Sequence, residues 1–211
     1  MKKTIIYLFS ILIISAGFSS CKKTNAGKLS GDWTISNFSE TTTSNSGDAE
    51  TVAIAGAVLT VDDGSTVTTG SVTTATMSFD KEGTWTQDLS YNVDYSGTGF
   101  TAIITYTMNR SGTWSFVGKN KSAALKANDR MVLSTLSSST TDVTAYTIAG
   151  ATTTDTNTTT DTYAEGEETE TLLVVSSSKS ELVCSANESN TSVYNGTSTT
   201  NTKVSNWTLT K

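Results

Sequence analysis

The chain has 211 residues, a net charge of −6, no histidine and no proline. Without histidine, Ser-His-Asp and Cys-His nucleophile pairs and the usual zinc sites are excluded. The acidic balance argues against a nucleic-acid partner. Thr and Ser make up about a third of the residues, and no long run has the 3.6-residue period of an amphipathic helix. Length and composition together indicate one all-β domain large enough to bury a core.

Met1–Ser20 reads as a secretory signal peptide. Lys2 and Lys3 precede an apolar run, Ile5 to Ile14, broken only by Ser10 and followed by small residues. The run is too short for the ~20 residues that span a bilayer. Phe18-Ser19-Ser20-Cys21 resembles a bacterial lipobox, with Phe where Leu is usual, and this looser form resembles that of Bacteroidota lipoproteins. The resemblance implies a diacylglycerol on the Cys21 thiol and a third acyl chain on the new N-terminus. Two or more chains make a firm membrane anchor. Residues 21–29 then form the lipidated Cys and a tether, and 30–211 a single β domain. Lys22-Lys23-Thr24-Asn25 carries no acidic run, which, by the same resemblance, favours the periplasmic side of the outer membrane over the cell surface. Loss of residues 1–20 removes two lysines and no acid, leaving twelve bases against twenty acids, a net −8.

Gly-x-Trp marks the folded part three times: Gly31-Asp32-Trp33, Gly83-Thr84-Trp85 and Gly112-Thr113-Trp114. Trp207 sits in the last strand-like run. A buried Trp fills much of the end of a small barrel, and a neighbouring Gly lets the chain turn. Ser78–Thr86 and Tyr106–Phe116 both read as hairpins with Gly at the turn. Strands are expected at Asp32–Phe38, Val72–Phe79, Thr84–Tyr91, Phe100–Met108 and Thr113–Val117. Further strands are expected at Arg130–Leu136, Asp142–Ile148, Thr171–Ser177, Glu181–Ala186 and Val204–Thr210. Ile104/Tyr106/Met108 alternate as one buried face of a sheet. Thr51–Val61 suits strand or helix, and Ser122–Ala127 is the best helical turn.

Glu40–Glu50 is expected to be a polar loop. The Thr-rich tract from Gly150 reads as a solvated hairpin arm or a loop, and its acidic continuation, Glu165 to Glu170, as a solvated loop without calcium-ligand spacing. Asp62/Asp63 and Asp80/Glu82 read as turn formers rather than acid/base pairs. With Cys21 lipidated, Cys184 stands alone, and Leu182 and Cys184 share a strand face, so a buried structural thiol is expected.

The Gly31-x-Trp33 strand, the Phe79–Thr86 hairpin, the Gly112–Phe116 strand and the closing Asn206–Lys211 strand resemble the lipocalin-like lipoproteins of Bacteroidota, over roughly residues 29–211. The resemblance implies an antiparallel up-and-down β-barrel of about 8–10 strands, with Trp33 closing its base. A β-sandwich is the alternative fold. Lipocalins often pack a late Arg on that Trp; the last strand here offers only Lys203 and Lys211. A small apolar ligand in the barrel mouth is implied by the fold rather than by any named residue. Trp33, Trp85, Tyr106, Trp114 and Trp207 are the residues expected to line a pocket or the core. No catalytic residue, metal site or cofactor is expected. Alternatives are a filled-core lipoprotein that docks a protein, or one that binds glycan through Tyr91, Tyr95 or Tyr163.

Overall fold

A computed structural model describes residues 26–44, 47–117, 129–194 and 197–211. The leader, Cys21 and the Ser122–Ala127 segment lie outside the described residues. After a helical turn at Ala26–Leu29, the elements are β1 (Gly31–Thr43), β2 (Ala49–Ala55), β3 (Val58–Asp62), β4 (Val67–Phe79), β5 (Thr84–Asp94) and β6 (Phe100–Phe116). They continue as β7 (Asp129–Ile148), β8 (Ala151–Thr162), β9 (Glu168–Ser177), β10 (Glu181–Tyr194) and β11 (Thr197–Thr210). All pairings are antiparallel, and strands adjacent in sequence are mostly adjacent in the sheet.

The barrel closes twice. At the base, Gly31–Thr34 of β1 pair with Thr76–Phe79 of β4, which completes a ring β1-β11-β10-β9-β7-β6-β5-β4. A bulge between Ile35 and Asn37 then bends β1 away from β4. The β2–β3 hairpin fills the gap: Asn37–Thr43 pair with β2, and β3 pairs with Val67–Ser71 of β4. The upper part is therefore ten strands around and the base eight. This closure rules out the β-sandwich. β8 lies outside the ring, paired with Ser137–Ile148 of β7.

Every expected segment is strand, but Phe100–Met108 and Thr113–Val117 are one strand, β6, as Arg130–Leu136 and Asp142–Ile148 are one, β7, and several boundaries differ. Thr51–Val61 is a hairpin turning at Gly56, φ +59°. The Glu40–Glu50 loop is mostly strand, because β1 runs to Thr43 and β2 begins at Ala49. The Thr tract is an arm whose residues are all exposed; Thr141–Thr158 and Thr147–Thr152 hydroxyls pair across it at 3.1 and 2.9 Å. Gly83 has φ +98° in a true hairpin turn, where Asp80 accepts the Thr84 N–H at 2.7 Å. The Thr84 hydroxyl, and then this bond, hold the Asp80 carboxyl below its usual range.

The Gly112 hairpin is not formed. β6 is one unbroken strand from Phe100 to Phe116, and Gly112 sits at a bulge against β7. A Cβ there would lie 1.8 Å from the Ser134 carbonyl oxygen. Glycine is needed for close approach of two backbones, not for a turn. The same motif thus has two physical causes in one chain.

The base is solid. Trp33, Phe79, Trp85, Met131, Leu172 and Leu182 are buried there, with Cys184 and Leu209. Each base Trp also has its indole N–H satisfied. Trp33 donates to Leu29 O at 2.7 Å, Trp85 to Ser134 O at 3.3 Å and Trp114 to Asp80 O at 3.0 Å. Lys211 Nζ lies 4.4 Å above the Trp33 ring and donates to Ser30 O at 2.9 Å. Of the two late lysines, it is Lys211 that stacks on Trp33.

Candidate binding cavity in the upper barrel

Inserting β2 and β3 widens the ring above the packed base. Within it lies a cavity of about 260 Å³. One side is apolar: Val52 and Ile54 from β2, Leu59 from β3, Leu89 from β5 and Met108 from β6. Tyr91 and Tyr106, opposite each other on β5 and β6, stack with ring centroids 4.8 Å apart. Burial, then the charges of Tyr106 and Asp142, push the Tyr91 hydroxyl up to about 12. Phe38 and Trp207 meet at 4.3 Å.

The remaining lining is charged or polar: Glu40 of β1, Gln87 of β5, Arg110 of β6, Glu170 of β9 and Lys203 of β11. Lys203 pairs with Glu40 at 3.3 Å and reaches Glu188 of β10 at 3.9 Å. Burial works against its charge, but Glu40 and Glu170 outweigh that effect, and its pKa rises. Arg110 lies 5.4 Å over the Trp85 ring and donates to Thr135 Oγ1 at 3.0 Å. The guanidinium is held between the floor and the cavity.

Glu170 differs from these groups. It is 8% exposed, and its Oε1 is buried without a hydrogen-bond partner. Burial raises its pKa, and Lys203 and Arg110 only partly offset this. Gln87 Oε1 and Trp207 Nε1 are likewise buried and unpartnered. Ser205 Oγ, between Lys203 and Trp207 on β11, is a fourth. Buried polar atoms are nearly always bonded, so the three on the cavity lining leave distinct bonding capacity for an occupant.

The aromatic residues named from sequence divide between the two levels. Trp33, Trp85 and Trp114 belong to the packed base; Tyr106 and Trp207 line the cavity. Of the tyrosines considered for glycan, Tyr91 is in the cavity, Tyr95 is exposed and Tyr163 is half-buried. Cys184 is buried, and its thiol is pushed up to about 12 by burial and then by Glu170. The acidic run is not wholly a solvated loop: Glu168–Glu170 begin β9, and Glu170 points inward. Its phase with Leu172 and Val174 carried that signal, as did the phase of Arg110 with Tyr106 and Met108, and of Lys203 with Trp207 and Leu209. No group of three or more acidic, Cys or His side chains placed to hold a metal ion occurs among the described residues.

Comparison of the chain with protein-family models, with curated proteins and with solved structures gives no match in any of the three.

Proposed function

We propose that this protein is an envelope lipoprotein, anchored through lipid on Cys21, whose barrel holds a small ligand with an apolar body. The observation that carries the reading is the cavity, with its apolar side and its three unpartnered buried polar atoms. A barrel of this size either fills with side chains or encloses one ligand, and this one fills only its base. About 260 Å³ lies just under the roughly 300–1,000 Å³ of drug-sized sites, so the occupant is small. The Trp33–Lys211 stack supports kinship with lipocalin-like lipoproteins. A periplasm-facing place on the outer membrane follows from the tether sequence, and no catalytic role is proposed.

Native mass spectrometry of the mature chain carrying Cys21→Ser, purified gently from cells, tests the carrier reading. A retained small molecule, lost when Leu89→Trp fills the cavity, is the expected result. A clean apo mass, together with no binding from a panel of small amphiphiles, overturns it. For the anchor, wild-type protein is expected in the membrane fraction and Cys21→Ser in the soluble fraction; continued attachment of the variant sinks that part.

A further inference from the structure

Resting on the carrier reading, we infer that the ligand is a small amine: an ammonium group held by Glu170 and Gln87, on an apolar or aromatic body lying against Tyr91, Tyr106, Leu89 and Met108. The charges around the cavity favour this sign. Glu40 and Glu188 already flank Lys203, and Arg110 is engaged by Thr135 and the Trp85 face. Glu170 forms no ion pair within 4.0 Å among the described residues and has a buried, unpartnered oxygen. Counting Glu188, three carboxylates stand against two cations, so the residues of the site carry one acid too many. Of the four buried unpartnered side-chain atoms among the described residues, Glu170 Oε1 and Gln87 Oε1 only accept, Trp207 Nε1 only donates, and the Ser205 hydroxyl can do either. An ammonium donates three hydrogen bonds and accepts none, which fits the two acceptors.

The surrounding rings act in the same direction. Tyr91, Tyr106 and Trp207 line the cavity, and aromatic faces attract a desolvated cation. A carboxylate ligand could reach donors of Arg110 beyond the one given to Thr135, but it would leave Glu170 without its counter-charge and set a further acid beside it. A buried carboxyl group is costly when empty; in the complex the incoming ammonium neutralises it.

Three probes of matched shape separate the alternatives: 2-phenylethylamine, 2-phenylethanol and 3-phenylpropionate, titrated by calorimetry into the mature Cys21→Ser chain at neutral pH. The amine is expected to bind at least about tenfold more tightly than either other probe, the increment of one charge-assisted buried pair. Glu170→Gln is expected to abolish the amine's advantage over the alcohol, both measured on the variant. Gln87→Leu is expected to weaken the amine several-fold, and a melting curve of each variant controls for folding. Equal binding of all three probes, or preference for the propionate, overturns the amine assignment and leaves the carrier reading standing. Alcohol binding alone has the same meaning. Absence of all binding overturns this inference and counts against the carrier reading as well.

Discussion

The two levels of the barrel share eight strands and solve opposite problems. At the base, eight strands bring Trp33, Trp85 and Trp114 together in a solid core, with every indole N–H bonded to a backbone carbonyl. A few residues further along the strands, ten strands enclose a cavity in which the indole N–H of Trp207 has no partner. The base follows the ordinary rule that buried polar atoms are satisfied. The upper level departs from it at Ser205, Trp207, Gln87 and Glu170 together. Stability is concentrated in one level, and binding capacity in the other.

The largest effect that sharpens this contrast is expected at the base. Trp33→Ala removes a fully buried anchor and should destabilise by roughly 3–5 kcal/mol, read from denaturant melts; an unchanged midpoint would show the base to be dispensable. Gly112→Ala comes next. Its new Cβ meets the Ser134 carbonyl, and a loss of roughly 1–3 kcal/mol or more is expected. A neutral result would mean that β6 and β7 approach less closely at the bulge.

In the upper level the sign reverses. Glu170→Gln should stabilise the ligand-free protein at pH 7 by about 1 kcal/mol, because it removes a buried charge. Glu170 faces Lys203, Arg110, Glu188, Glu40 and the Cys184 thiol, and the balance of burial and charge raises its pKa. Its folded pKa exceeds its unfolded value, so its contribution to stability is full below the ordinary carboxyl range and is lost as pH rises through the folded pKa. The advantage of the variant should therefore vanish in melts near the ordinary carboxyl pKa. A variant less stable than wild type at pH 7 would show Glu170 to be a structural partner. Smallest of all, Thr158→Ala on the outer arm should shift stability by no more than about 0.5 kcal/mol, since β8 is exposed along its whole length. A larger loss would make the arm part of the barrel's support.

Strand-forming segments were legible because β-branched residues and period-2 alternation are local signals. Ile104, Tyr106 and Met108 announced one inward face, and the rule continued to Arg110 would have placed a cation inside. Charged residues at inward positions read as loop or surface when only hydrophobicity is followed, as Glu170 does within its acidic run. The expected turn at Gly112 fails for a related reason. Gly-x-Trp looks alike at a hairpin and at a bulge, and only the strand on the other side, with its Ser134 carbonyl, distinguishes them.

By itself, the amino-acid sequence determined an antiparallel all-β chain, the identity of its Trp anchors and most of its strand positions, because each follows from neighbours within a few residues. Tertiary structure decided how the ring closes. The bulge after Ile35, the inserted β2–β3 hairpin and the long-range pairing of β1 with β11 set the circumference at each level. That circumference decides whether inward side chains meet and fill the space, as at Trp33, or stand apart around a cavity, as Glu170, Gln87 and Trp207 do.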